Sequence, residues 1–266
     1  MSKEIRLKKD TVNIGIRQTP KNSYDPAAAE AVLTIARSYL ENADRLIYSY
    51  GSRTFLSGYD LYDREFGGRG NIDCSTFVLL VLAGVSYDHS PYRKGTARGL
   101  DLHPVAELDL SCFERMPEKY TGIAERIGRP YLAGPRGLDL DKAEELGITI
   151  ATLKEEILRT GMSRRSVSLA MQFLKRDECF LDPDCRRPGD LVFFRSSEFF
   201  TDETSDFPGE TDISHVGILS EDVDFMINSS GYLDRQRAWT ENLPAVSIAP
   251  VSGRREPAFF ARPEYI

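Results

Sequence analysis

The sequence contains few of the cysteine and histidine residues that stabilise small proteins through disulfides or bound metal ions. It holds four cysteines in 266 residues, and none of them forms a CxxC pair. So few thiols do not build a disulfide framework, and without CxxC pairs the chain lacks the usual spacing of a zinc ribbon or a dithiol redox site. Cys179 and Cys185, on either side of Pro183, supply too few ligands for zinc, so we expect one core cysteine and one loop cysteine there.

The chain also lacks a long apolar run and an excess of positive charge. Its 34 basic and 41 acidic residues give a net charge of -7, spread along the sequence, which disfavours binding to nucleic acid or anionic lipid. No window reaches the length of a membrane span, and the beginning, MSKEIRLKKDTVNIGI, has no apolar run of a secretory signal. We expect a cytoplasmic protein if this N-terminus is native, and a secreted one if an export signal has been removed.

The distribution of glycine, proline and charge indicates one domain with an insertion. We interpret residues 1–24 as an N-terminal extension and residues 25–266 as the domain, with the insertion at about 90–160. Glycines among tyrosines and charges predict that residues 45–70 are a connecting loop. The insertion contains one predicted helix at 151–159. It is interpreted either as a lid or pocket wall, or as a surface elaboration.

The last third of the chain is rich in short apolar segments separated by turn residues. Five of them predict the strands of a meandering antiparallel sheet: LVFF at 191–194, HVGIL at 215–219, DFMIN at 224–228, AVSIA at 245–249 and AFFA at 258–261. The acidic string after the first of these lacks the ligand spacing of a calcium loop and predicts a solvated hairpin tip. We therefore predict an α+β fold in which helices pack on one antiparallel sheet.

Two aspartates mark the beginnings of predicted helices. Asp25 followed by Pro26 begins the first, which runs through AAAEAVLTIARSYLENA. Asp73 is a natural N-cap for CSTFVLLVLAGV, an apolar run that begins at Cys74 and is closed by Gly84. The dipole and unpaired N–H groups of a helix N-terminus favour a thiolate at that position. A buried and inert cysteine is the alternative interpretation of Cys74 taken alone.

His215 and Asn228 lie on consecutive predicted strands joined by SEDV. The simplest hairpin pairs Leu219 with Asp224, and that register places His215 directly opposite Asn228 on one face. A buried amide beside an imidazole fixes its tautomer and orientation. With Cys74, these residues form the candidate catalytic triad of a cysteine hydrolase. A core histidine bonded to backbone and an asparagine at a strand end are the alternatives.

The motifs around these residues, taken together, resemble the NlpC-type bacterial cell-wall cysteine peptidases. They are DCS at the start of an apolar helix, PGDLVFF, and SHVGI followed by a strand with a polar end. The resemblance covers about residues 30–90 and 160–262. It implies a papain-like fold, with a Cys-bearing helix packed on an antiparallel sheet and neither metal nor cofactor. It also implies Cys74 as nucleophile, His215 as general base and Asn228 as third polar residue, where the family more often has His.

The same resemblance implies a substrate and the residues that bind it. The substrate would be a peptidoglycan-derived peptide, cleaved between γ-D-glutamate and the diamino acid. Tyr48, in YSYGS, matches the active-site tyrosine of the family. Asp73 and Ser75 flank the nucleophile, where some members bind a free peptide amine, and Ser214 precedes the base in SHVGI. An exported form would then be associated with the cell wall.

Two departures from the family pattern leave other functions open. Thr76 stands where the family usually has a glycine or another small residue, and the stretch between DCS and PGDLVFF is longer than in compact members. One alternative is an amidase, deamidase or acyl transferase that uses the same triad on another substrate. The other is an inactive homologue that binds a peptide. The sequence does not predict an oligomeric state.

Overall fold

The protein combines helices with a mainly antiparallel sheet. The computed structural model describes residues 4–5, 14–48, 62–63, 69–94, 100–109, 133–134, 137–138, 145–147, 165–195, 213–230, 244–252 and 257–266. The helix predicted at 151–159 and the acidic string at 196–212 lie outside these residues. The predicted α+β class with an antiparallel sheet is confirmed.

Helices form where the sequence provides caps and apolar faces. The structure has α1 at Pro26–Glu41, α2 at Cys74–Leu82, a single turn α3 at Pro91–Lys94, and α4 at Arg165–Lys175. The Asp25 carboxylate accepts hydrogen bonds from the N–H groups of Ala27 (2.9 Å) and Ala28 (3.1 Å), as predicted for an N-cap. Gly84, at φ +75°, follows the end of α2, which confirms the predicted stop.

Short strands precede the main sheet along the chain. They are β1 at Glu4–Ile5, β2 at Ile14–Gly15, β3 at Leu46–Tyr48, β4 at Tyr62–Asp63, β5 at Arg69–Ile72, β6 at Ala133–Gly134 and β7 at Gly137–Leu138. The prediction of a loop over residues 45–70 is wrong at β3, β4 and the beginning of β5, which form a three-stranded sheet. Gly70 explains the error: a Cβ there would lie 2.5 Å from Cδ1 of Tyr92, so this glycine permits close packing rather than a turn.

Among the described residues, the main sheet has six strands. They are β8 at Cys179–Phe180, β9 at Leu191–Arg195, β10 at Ile213–Leu219, β11 at Phe225–Ser229, β12 at Val246–Pro250 and β13 at Pro257–Ala261. Their order is β12-β11-β10-β9-β13-β8. The predicted meander is therefore confirmed from β9 to β12, whereas β13 returns to pair with β9 and β8.

The core forms between the helices and one face of this sheet. Every residue of α2 is buried, and α2 packs against β10, β11, α1 and α4. The buried cluster includes Tyr39 of α1, Phe173 of α4 and Phe193 of β9. Ile16 also belongs to it, and the neighbouring Arg17 exchanges backbone hydrogen bonds with the β8 segment. The chain before α1 therefore contributes to the same core.

The hairpin of β10 and β11 is shifted by two residues from the predicted register. Leu219 pairs with Met226, not with Asp224. Because side chains alternate between the faces of a strand, a shift of two residues leaves His215 and Asn228 on the same face. The two are therefore diagonal neighbours rather than directly opposed residues.

Asp222 accounts for the shift. Its side chain accepts a hydrogen bond from the N–H of Asp224 at 3.1 Å, and its carbonyl accepts from the hydroxyl of Ser220 at 2.7 Å and from the N–H of Phe225 at 2.9 Å. This Asx-type turn extends the connection to Asp224, so that β11 begins at Phe225.

A buried ion pair fixes the turn before β9. The Arg262 guanidinium donates to both carboxylate oxygens of Asp190, at 2.9 and 2.8 Å, and the two side chains are 6% and 0% exposed. Burial raises the pKa of the Asp190 carboxyl, and the Arg262 guanidinium opposes that shift. The same turn bonds to the end of β10, because Gly189 donates to the carbonyl of Leu219 and Leu219 donates to that of Asp190.

We expect Arg262→Met to lower the free energy of unfolding by about 3–5 kcal/mol, because it leaves a buried carboxylate without its partner. Urea denaturation measures the change. Arg37→Met is the matched control, since Arg37 forms exposed pairs with Glu30 and Glu221 and its loss should cost less than about 1 kcal/mol. Equal losses in the two variants would contradict the assigned role of Arg262.

Candidate active site

Cys74 is the first residue of α2 and is 5% exposed. Asp73 caps the helix: its Oδ1 accepts hydrogen bonds from the N–H of Thr76 at 2.7 Å and from the hydroxyl of Ser75 at 2.9 Å. The cap fixes the first turn of α2 and therefore the direction in which the Cys74 side chain leaves the helix. The prediction that a helix begins at the thiol, with Asp73 as its N-cap, is confirmed.

The helix that carries Cys74 packs against the strand that carries His215. Cys74 shares its buried cluster with Ile213 and Val216 of β10, whereas Phe194, which pairs with His215, belongs to the cluster on the other face of the sheet. Ser166 of α4 anchors the beginning of this strand, since its hydroxyl donates to the carbonyl of Ile213 at 2.7 Å. Between Ile213 and His215 the register with β9 shifts, as at a β-bulge.

His215 and Asn228 interact directly. Nε2 of the half-buried imidazole lies 3.0 Å from Oδ1 of Asn228, whose residue is 1% exposed. On its other side His215 pairs with Phe194 of β9, and the two ring centroids are 5.8 Å apart at an interplanar angle of 41°. The structure thus brings together the two residues that the sequence paired, although by a diagonal contact.

A backbone carbonyl determines which way the Asn228 amide faces. Nδ2 of Asn228 donates to the carbonyl oxygen of Ser247 on β12, at 3.2 Å. Because that carbonyl can only accept, the NH₂ group must face it and Oδ1 must face His215. Oδ1 can only accept in turn, so Nε2 of His215 carries a proton. In the neutral imidazole Nδ1 is then the basic nitrogen.

The residues expected to bind substrate lie near the start of α2 and in β10. Tyr48 ends β3 opposite Ile72 of β5, which is directly followed by Asp73 and Cys74. The parallel pairing therefore brings the half-buried Tyr48 to the chain that enters α2. Asp73 and Ser75 are both buried at the start of α2. The backbone of Ser214 lies in β10, and its side chain is outside the described part of the protein.

The other cysteines of the described residues differ from Cys74. Cys179 is buried in β8, and burial raises the pKa of its thiol well above the usual value. Cys185 lies half-buried in the loop before β9, where partial burial and Asp182 raise its pKa. Both thiols are free. The predicted core cysteine and loop cysteine are thus confirmed.

Neither of the remaining histidines is a candidate base. The chain has three histidines, and His103 pairs with Asp101 at 3.0 Å with 77% of its side chain exposed. His89 is also exposed, and its Nδ1 lies 2.9 Å from the Ser86 hydroxyl. Among the described residues no cluster of three or more His, Cys, Asp or Glu side chains is suited to hold a metal ion.

Sequence reasoning missed two parts of this site. The Ser247 carbonyl is a backbone group, so its role does not depend on residue type and leaves no motif. Aligning the two predicted strands β11 and β12 could have revealed it, because their register pairs Asn228 with Ser247. The role of Gly217 was also missed, although this residue lies in β10 within the HVGIL motif.

No known protein family, curated protein or solved structure matches the chain significantly. The resemblance to the NlpC-type peptidases therefore depends on the motifs alone. Within the described ranges, no helix has both the length and the apolar character needed to cross a membrane.

We expect iodoacetamide at mildly acidic pH to alkylate Cys74 at least about tenfold faster than Cys179 or Cys185, because a helix N-terminus favours the thiolate. Peptide mass spectrometry after timed labelling measures the rates at Cys74, Cys179 and Cys185 in one sample. The two slower cysteines are internal controls for unfolding. Equal rates, or slower labelling of Cys74, would favour a buried and inert cysteine.

Proposed function

We propose that the chain is a papain-like cysteine hydrolase that cleaves an amide bond in peptidoglycan-derived peptides. The observation that carries the proposal is the hydrogen-bonded series from the Ser247 carbonyl through Asn228 to His215. It supports a general base because it commits one imidazole nitrogen to holding a proton and makes the other one basic. The helix that begins at Cys74 packs against the strand that carries His215, and the proposal requires the thiol and the imidazole to meet at the beginning of β10, where the register shifts.

In the proposed acylation step the Cys74 thiolate attacks the carbonyl carbon of the amide. A C–S bond forms, and the carbonyl electrons move to the oxygen, which accepts a hydrogen bond from the Cys74 N–H. His215 holds the former thiol proton on Nδ1 and delivers it to the amine nitrogen as the C–N bond breaks. The products of this step are a free amine and a thioester on Cys74.

In the proposed deacylation step, Nδ1 of His215 removes a proton from a water molecule. The water oxygen adds to the thioester carbonyl, the C–S bond breaks, and a carboxylic acid leaves. The thiolate and the imidazolium are regenerated together. Throughout both steps Asn228 keeps the ring oriented by accepting the Nε2 proton in a hydrogen bond, and it carries no charge of its own.

The proposed bond is the one between γ-D-glutamate and the diamino acid of a stem peptide. The motif resemblance supports this choice, and the position of Asp73 supports a peptide amine as one recognised group. Asp73 is a buried carboxylate next to the nucleophile, held by Ser75 and Thr76. Tyr48, at the adjacent strand end, is proposed as a further contact to the peptide.

We expect the protein to cleave muropeptides beside the diamino acid, and Cys74→Ala to abolish cleavage. Mass spectrometry of tri- and tetrapeptide stems, with and without a free N-terminal L-alanine, identifies the bond and the need for the amine. Cys185→Ser is the matched control, because it removes a half-buried thiol from a loop and should retain activity. An added amine acceptor that increases product would indicate an acyl transferase, and absence of cleavage would refute the peptidase.

We expect Asn228→Ala to lower kcat about 100-fold with little change in KM, because the imidazole loses its fixed orientation while peptide contacts stay. Asn228→His should retain more activity, since an imidazole also accepts with one nitrogen and donates with the other. Steady-state kinetics on the cleaved muropeptide measure both variants. Equal kcat values for wild type and Asn228→Ala would exclude Asn228 from the mechanism.

A further inference from the structure

We propose that Gly217 is a positioning residue for the His215–Asn228 pair. The inference depends on the proposed function, because the pair acts in that reaction. Ile218 pairs with Ile227, so the same register places Gly217 opposite Asn228, with His215 one diagonal step away. The imidazole must therefore lean along β10, over residue 217, to reach the amide.

Side chains of β11 fill the space into which a side chain at position 217 would project. A Cβ added at this position would lie 2.7 Å from Sδ of Met226 and 3.3 Å from Cβ of Asn228. The backbone here is not left-handed, so glycine is required for space and not for conformation. A methyl group would push on both cross-strand neighbours on the face that carries the hydrogen bond.

The surrounding packing leaves these neighbours little room to yield. Met226 is 6% exposed and belongs to the buried cluster on this face of the sheet, together with Phe194 and Leu219. Phe194 stands beside the imidazole on β9. Asn228 is held on its far side by Ser247. Displacement of Asn228 would therefore lengthen the 3.0 Å contact to Nε2.

Gly217→Ala should consequently reproduce the loss seen in Asn228→Ala. We expect kcat to fall about 10- to 100-fold with KM nearly unchanged, and the pH profile of Cys74 alkylation to shift in the same direction in both variants. The double variant Gly217→Ala/Asn228→Ala should be no slower than Asn228→Ala alone, because both changes disrupt the same hydrogen bond between His215 and Asn228. Ile218→Val is the matched control: it loosens the adjacent buried position on the other face of β10 and should keep the wild-type profile.

Imidazole nitrogen NMR tests the inference without relying on catalysis. In the Cys74→Ala background, where no thiol proton passes to the ring, neutral His215 should show the Nε2–H tautomer; adding Gly217→Ala should give a mixture of tautomers, whereas signals of the exposed His89 and His103 stay unchanged. If Gly217→Ala does not fold, the combined Gly217→Ala and Met226→Ala variant removes the tightest contact and takes its place.

The outcomes separate this inference from the proposed function. Muropeptide cleavage with a wild-type tautomer and pH profile in Gly217→Ala, or fully additive losses in the double variant, would overturn the role of Gly217 and leave the peptidase standing. A tautomer change in Gly217→Ala, in a protein that cleaves no peptide, would support the positioning role and overturn the proposed reaction.

Discussion

The register of the main sheet depends on the buried pair of Asp190 and Arg262. The pair fixes the turn that precedes β9, and Gly189 and Asp190 in that turn bond to Leu219 at the end of β10. Leu219 in turn pairs with Met226, which sets the register of β11. A charge pair far along the chain from the candidate nucleophile therefore holds the end of β10, and the Asx-type turn at Asp222 then sets where β11 begins. Replacing such a pair as a whole with apolar residues costs little, because its desolvation offsets much of its attraction, whereas removal of one partner leaves the other charge buried and unpaired.

The contact between His215 and Asn228 was predicted correctly although the predicted register of β10 and β11 was wrong. The error was two residues, caused by the Asx-type turn at Asp222, and an even shift keeps both side chains on one face. An error of one residue would have sent Asn228 into the opposite layer. Strand periodicity alone was therefore sufficient to pair the two residues. The diagonal geometry required knowledge of the turn, which a four-residue connection does not reveal.

Local signals in the sequence predicted the elements, whereas long-range packing decided their arrangement. The caps at Asp25 and Asp73 act within three residues, so both helix starts were predictable. The prediction of a loop failed at Gly70 because this glycine lies in a strand, where its missing side chain makes room for Tyr92, a contact that no local pattern shows. The return of β13 beside β9 was also missed. It brings Arg262 to Asp190. These two residues are distant in sequence, and nothing in the sequence distinguishes them from charged residues on the surface.

The residue at position 228 must satisfy two different partners at once. The Ser247 carbonyl requires a donor, and the protonated Nε2 of His215 requires an acceptor. An aspartate there would place a buried carboxylate against a carbonyl oxygen, and an alanine would leave both partners unsatisfied. Asparagine meets both demands without a charge, and histidine meets them with its two ring nitrogens. The difference from the NlpC-type pattern at this position therefore preserves the hydrogen-bonding requirement, so Asn228 is compatible with the same orienting role.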